Sequence, residues 1–286
     1  MNVAMIIFGY FPYGGLQLDF RRTAETLLRR GHKVCIFFGT WEGERVAGAE
    51  FVQLPMKGFT NWGRCLAFQT GLLAALAERH FDCVLGFNRT RGLDLYFAAD
   101  NCFAAAARKK HPVARLFLPR YRGFEGMECA ILQKGAKPHV LCISDQQVRE
   151  FQEIYGTEPE RLHRIGPGIA PEFHLYPEAE AFAMRQSVRK EFLIPEDAVV
   201  LIQVASSFRT KGIDRTIRAL ASLPGDLREK CRLLIVGREK PGRHSVLARH
   251  LGVEKMVHFA GPRSDVPALL HGADLMVHPA RSEATG

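Results

Sequence analysis

The feature that most constrains this chain is a repeated alternation of short, continuously apolar runs with longer stretches of helical periodicity. Val3 to Tyr10 (VAMIIFGY) is apolar and β-prone throughout, which suits a strand buried on both faces. A Gly-Gly turn follows. Leu18, Phe20, Ala24, Leu27 and Leu28 then recur at helical spacing from about Leu16 to Arg30, and Gly31 serves as the stop. KVCIFF, EFVQLP, DCVLGF, DLYFAA and HVLCIS read as further strands, with LAFQTGLLAALAERH as a helix among them. Ser144 and Gln147 form a capping box that opens a helix in DQQVREFQEIYG. After Gly168 come the strand-like runs AVVLIQV, RLLIVG, MVHFAG and DLMVHP, with helices near Asp214–Leu223, His244–Leu251 and Asp265–His271.

Repeated β-α-β units imply parallel sheets with right-handed crossovers. A length of 286 residues exceeds what one ordinary core organises. The expected fold is therefore α/β, with two Rossmann-like domains at 1–168 and 169–286. The break falls in GPGIAPEFHLYPEAEA, where Pro167, Pro171 and Pro177 interrupt the periodicity. The second domain shows only about four strands where such sheets carry roughly five or six, so it reads as incomplete and the chain as truncated at its C-terminus.

Composition narrows the function classes. Apolar residues at 47% and charged residues at 24% exclude disorder and coiled coil. No apolar run is long enough to span a bilayer, and the N-terminus, without Lys or Arg before its apolar run, reads as a strand rather than a signal peptide. Seven scattered cysteines without a C-x-x-C pair point to a reducing cytoplasm and against a disulfide framework. The net charge of +9 is uneven. No acid occurs between Asp100 and Glu125, a stretch that holds Arg108, Lys109, Lys110, Arg115, Arg120 and Arg122 and reads as a surface meeting anions. Its basic residues are not interleaved with stacking aromatics as in single-strand readers, so nucleic acid is not an expected partner.

Four motifs can carry chemistry. Gly14 and Gly15 follow the first strand and open a helix that also carries Asp19, so backbone N–H groups there could approach a phosphate; the bland reading is a turn that needs positive φ. Ser206 to Gly212 (SSFRTKG) follows a buried strand and precedes a helix, where Arg209 and Lys211 suit a diphosphate clamp. Glu283, in HPARSEATG, follows a strand and suits hydrogen bonds to sugar hydroxyls. Asp100 ends an apolar strand and faces a ligand-binding edge or, blandly, caps a helix. No Asp-x-Asp, H-E-x-x-H, G-x-S-x-G or Walker A pattern occurs, so neither a metal nor a cofactor is expected.

Together FPYGGLQLDF, WEG, GFNR and GLDLYFAAD, PRYRGFE, TEPERLHRIGPGI, KGIDRTIRALASLP and HPARSEATG resemble the lipopolysaccharide core α-1,3-glucosyltransferase I family of Gram-negative bacteria. These are retaining, metal-independent enzymes of GT-B fold. The resemblance implies an acceptor- and membrane-facing first domain and a nucleotide-sugar-binding second domain. It implies that Gly14, Gly15 and Asp19 lie by the donor phosphates, that Lys211 neutralises the leaving diphosphate, and that Asp100 lies near the anomeric carbon. Glu283 matches the first glutamate of an E-x7-E motif that contacts the donor sugar. The family's Arg-Lys-Gly is here Thr210-Lys211-Gly212, with the arginine one residue earlier at Arg209. The expected activity is retaining transfer of glucose from UDP-glucose to a heptose of the lipopolysaccharide inner core. The expected location is cytoplasmic, peripheral on the anionic inner face of the inner membrane. The rivals are a degenerate anion- or membrane-surface binding module and a transferase that uses another nucleotide sugar.

Overall fold

The computed structural model describes residues 1–12, 14–110, 113, 117–166, 168 and 173–281. Its contacts divide the chain into two units, Met1–Pro167 and Gly168–Glu283.

The first unit runs β1 (Asn2–Tyr10), α1 (Gly15–Arg29), β2 (Lys33–Trp41), β3 (Glu50–Gln53), α2 (Asn61–Ala77), β4 (Cys83–Gly86) and β5 (Leu95–Ala98). It continues with α3 (Phe103–Lys110), α4 (Pro119–Leu132), β6 (His139–Cys142), α5 (Asp145–Tyr155) and β7 (Leu162–Arg164). The strands form a seven-stranded sheet in the order β3-β2-β1-β4-β5-β6-β7, every pair parallel. The continuous apolar run of β1 is explained by its position. Val3, Met5 and Ile7 pack on one face with Phe20 and Ala24 of α1, while Ala4 and Ile6 pack on the other with Phe68 and Leu72 of α2. Alternate residues of a strand point to opposite faces, so a central strand covered on both sides needs no polar residue.

The second unit contains α6 (Glu178–Glu191), β8 (Val199–Val204), α7 (Ile213–Ser222), α8 (Gly225–Lys230), β9 (Cys231–Val236), α9 (Gly242–His250), β10 (Val257–Gly261), α10 (Val266–Gly272) and β11 (Leu275–Met276). Its strands pair in parallel in the order β10-β9-β8-β11. Ile213, Ile217 and Leu220 of α7 and Ala248 of α9 cover one face; Val188 of α6 and Leu269 of α10 cover the other. Burying each such branched side chain contributes roughly 1.5–3 kcal/mol, so both faces matter to stability.

Several elements depart from the sequence reading. α6 lies partly inside the segment read as an interruption, because Pro177 stands at the cap position before the helix rather than breaking it. Pro119 likewise stands at the start of α4. β7, only three residues long, has no readable periodicity and forms by pairing with β6. The capping box forms as expected: Ser144 Oγ accepts from the Gln147 N–H, and Gln147 Oε1 accepts from the Ser144 N–H.

Close strand-end packing makes one glycine irreplaceable. A Cβ on Gly237, just after β9, would lie 2.0 Å from the Ala205 carbonyl oxygen at the end of β8. Gly237→Ala should cost about 1–3 kcal/mol of stability through overpacking. An unchanged urea midpoint would show that this strand end is not packed as described.

Candidate functional site

In an open parallel sheet, ligands collect where successive crossovers leave in opposite directions, beyond the C-terminal ends of the strands. In the first unit that point lies at β1, flanked by β2 and β4. The Gly14-Gly15 pair sits there. Gly14 has φ −95° and ψ 137°, so a left-handed turn is not what it supplies. What it supplies is room: a Cβ on Gly14 would lie 1.8 Å from Gln17 Oε1 and 2.7 Å from the Phe11 ring. Gln17 is buried, and its Nε2 donates to the Gly9 carbonyl at 3.2 Å. Gly15 is different, since a Cβ there would meet nothing within 4 Å. The first turn of α1 has neither an acid nor a side-chain cap. Its unsatisfied N–H groups and the positive end of the helix dipole therefore suit an anion. Asp19 follows on the same helix; protein packed around its carboxyl raises its pKa above the ordinary carboxylate value, against the pull of Arg22.

Asp100 follows β5, two strands from β1, about 9–10 Å across the sheet at ordinary strand spacing. Its side chain is 64% exposed, with Oδ2 3.8 Å from Arg89 Nη1, and its backbone carbonyl accepts from Gln147 Nε2 at 3.0 Å. It does not cap α3. The N–H groups of Phe103 and Ala104 donate instead to the two oxygens of Glu128, at 2.8 and 2.9 Å. Glu128, on α4, is wholly buried. It also accepts from the Tyr155 hydroxyl at 2.6 Å and pairs with Arg89, whose Nε lies 2.9 Å away. Arg89 Nη2 in turn donates to the Asn101 carbonyl at 2.6 Å. Burial, and then the neighbouring carboxylate, push up the Tyr155 hydroxyl; the same causes push the Cys102 thiol up to about 12. Sequence reasoning missed Arg89 and Glu128. The one available signal was an arginine directly after an apolar strand, and nothing in the sequence pairs it with a glutamate on a later helix.

The corresponding point of the second unit lies at β8, between β9 and β11. The loop after β8 carries Arg209 and Lys211, and Gly212 (φ +73°, ψ 35°) leads into α7. Here glycine is needed both for the left-handed backbone and for space, because a Cβ would lie 2.3 Å from the Pro279 carbonyl oxygen. Gln203, wholly buried, holds the Lys211 carbonyl through its Nε2 at 2.7 Å and accepts from Thr216 Oγ1 at 2.6 Å. The segment after β11 closes over this loop. Arg281 N–H donates to the Thr210 carbonyl at 2.8 Å and Arg281 Nη1 to the Arg209 carbonyl at 2.9 Å. Both Arg281 Nη atoms also donate to the Asp214 carboxylate, at 2.7 and 2.6 Å. Lys211 thus lies on a fixed loop at this crevice. Arg209 instead lines a pocket between α7 and α9 together with Arg218 and Arg243.

The remaining sequence-derived residues fall in two groups. Arg108 and Lys109 are exposed on α3, and Arg120 and Arg122 are exposed on α4; Lys110 is also on α3. Arg115 and Glu283 lie outside the described residues.

The Arg281 pairing has a pH signature. It holds the Asp214 carboxyl down at about 2. A depressed carboxylate pKa contributes stability that is fully present above the unfolded value of about 3.9 and is lost as pH falls through about 2. Arg281→Ala should raise the Asp214 pKa toward its ordinary value and flatten this part of the acid limb. Urea midpoints followed between about pH 2 and 6 test this, and an acid limb identical to wild type would contradict the pairing.

Comparison with known proteins adds a further set of observations. The profile of the family described as Glycosyltransferase Family 4 matches residues 13–173, and that of Glycosyl transferases group 1 matches residues 184–286. Among curated proteins, the lipopolysaccharide glucosyltransferase WaaG of Escherichia coli K12 is 41% identical over 286 residues, all of this chain and 76% of WaaG. A D-inositol 3-phosphate glycosyltransferase of Kineococcus radiotolerans is 25% identical, over 96% of this chain and 69% of its own length. Among solved structures, that of WaaG, a glycosyltransferase involved in lipopolysaccharide biosynthesis, superposes with a TM-score of 0.92 at 40% identity, over 99% of this chain and 76% of that one. Anabaena HepE, solved with UDP and glucose, shares the fold with a TM-score of 0.71 at 16% identity, over 100% of this chain and 76% of its own.

Proposed function

Because the chain belongs to the glycosyltransferase family defined by these profiles, with a GT-B fold, we propose that it transfers glucose from UDP-glucose to a heptose of the lipopolysaccharide inner core with retention of configuration. The observation that carries this reading is the Lys211 loop, locked at the crevice of the second sheet by Arg281 and by close contact with Pro279.

The reaction breaks the bond between the anomeric carbon and the diphosphate oxygen, so negative charge grows on the departing UDP. Lys211 lies on the loop that would meet this charge. In this reading the protein itself supplies the neutralisation, without a metal or other cofactor. Asp100 orients the acceptor hydroxyl or stabilises the oxocarbenium-like centre, with Arg89 holding it near its strand end. The acceptor oxygen bonds on the face the diphosphate leaves, and its proton passes to a departing phosphate oxygen. Double displacement would instead require a carboxylate nucleophile in close attack on the anomeric carbon. Glu283 is assigned to the donor sugar by its motif.

We further propose that α3 and α4 meet an anionic membrane surface, the protein being peripheral on the cytoplasmic side. No helix among the described residues is long and apolar enough to cross a membrane. Val113, Phe117 and Leu118 are exposed, as are Arg108, Lys109, Arg120 and Arg122, so one stretch of the chain offers apolar and cationic groups together. An apolar cavity of about 500 Å³ adjoins it, with Trp62, Leu118 and Phe124 in its lining. Each cation near such a surface contributes about 1 kcal/mol of attraction, and apolar side chains among the headgroups add to it.

Lys211→Ala should lower kcat by about 10²–10³-fold, as loss of a fixed charge-stabilising donor does elsewhere, with the circular dichroism spectrum unchanged. Turnover within a few fold of wild type would remove Lys211 from the clamp. Transfer should persist in EDTA; a loss on chelation that Mg²⁺ or Mn²⁺ restores would defeat the metal-free reading.

Vesicles of phosphatidylglycerol should sediment the protein in a salt-sensitive manner, and neutral vesicles should not. Replacing Arg108, Lys109, Lys110 and Arg115 with Ser should weaken sedimentation strongly, and no change would sink the membrane assignment.

A further inference from the structure

The pocket between α7 and α9 collects charge that the proposed transfer reaction does not use. Its volume is about 450 Å³, and Arg209, Arg218, Arg243, Arg281, Asp214 and His244 line it. Arg281 is neutralised by Asp214. Arg209, Arg218 and Arg243 form no ion pair among the described residues, so three arginines from three different segments line the pocket without a carboxylate partner of their own, Asp214 being held by Arg281. His244 is only 5% exposed and makes an edge contact with the Phe208 ring at 5.4 Å. Burial and Arg243 lower its pKa, so near neutral pH it adds hydrogen-bonding capacity rather than a fourth unmatched charge. Lys211 is not among the residues lining this pocket.

We infer that this pocket binds a compact, multiply charged phosphate, at a site separate from the sugar-donor clamp. Guanidinium is the group best matched to phosphate oxygens because its planar N–H fork bonds two of them at once. Three such forks match an anion carrying two or three charges, and the volume fits a small phosphorylated molecule. A free phosphorylated molecule and a lipid headgroup are the two sources of such a phosphate. Both sources present the same phosphate chemistry.

Calorimetric titration of the full chain with inorganic pyrophosphate, at about 50 mM salt to limit screening, tests the site. Arg218→Gln combined with Arg243→Gln changes two exposed side chains outside the transfer machinery. It should weaken pyrophosphate binding by at least about tenfold, while Lys211→Ala should leave it unchanged. Loss of pyrophosphate binding in Lys211→Ala with retention in the double variant would overturn the inference, because the anion would then sit in the donor clamp. Absence of binding by wild type, or equal binding by wild type and the double variant, would overturn it too. Sedimentation with phosphatidylglycerol vesicles separates the sources: unchanged in the double variant, it supports a free phosphate. Vesicle binding that depends on Arg218 and Arg243, without pyrophosphate binding, would assign the pocket to a headgroup and defeat the inference.

Discussion

Parallel strands buried on both faces impose the constraint from which the rest of this structure follows. A strand such as β1, with Met5 and Ile6 both wholly buried, requires helical cover above and below. The chain can return to lay the next parallel strand only through a crossover, so every strand ends at the same edge of its sheet. The loops at that edge are where backbone N–H groups, glycines and charged side chains can gather without disturbing the core. Gly14, Asp100 and Lys211 all lie just beyond strand ends for this reason. Their chemistry rests on cores that supply no chemistry themselves.

Two electrostatic anchors then turn those loops into defined positions. Buried Glu128 gathers Arg89, the first N–H groups of α3 and the Tyr155 hydroxyl around one carboxylate. A carboxylate taken fully out of water is costly unless its oxygens are satisfied, and here each oxygen has partners. The arrangement ties the loops after β4 and β5 to α4 and α5, and it holds a guanidinium beside Asp100. Arg281 does the equivalent work in the second unit, joining the segment after β11 to Asp214 and to the backbone of the Lys211 loop. These anchors bear on function through position, since charge stabilisation in a transfer reaction depends on donors already in place.

The basic excess of the chain serves more than one purpose. Arg161 and Arg189 are buried, and each donates both to backbone carbonyls and to a carboxylate, Glu158 and Asp274 respectively, as a structural pin. Arg108 and Lys109 of α3 and Arg120 and Arg122 of α4 are exposed, as are Phe117 and Leu118. Arg209 lines the pocket between α7 and α9, and Lys211, two positions on, is not among its lining residues.

The amino-acid sequence by itself determined the alternation of strand and helix, because apolar runs and helical periodicity are local patterns that register burial directly. It also determined the capping box at Ser144, a contact closed within four residues. It did not carry β7 or the partners of Glu128, which depend on contacts between segments distant in the chain. Nor could it tell why Gly14 is glycine: the sequence suggested a backbone torsion, whereas the folded chain shows a side chain, Gln17, occupying the space a Cβ would need. The pairing of Arg281 with Asp214 and the gathering of Arg209, Arg218 and Arg243 were likewise decided only in three dimensions. A crossover sheet sets which loops become neighbours, and charge-to-charge distance exists only once it has done so.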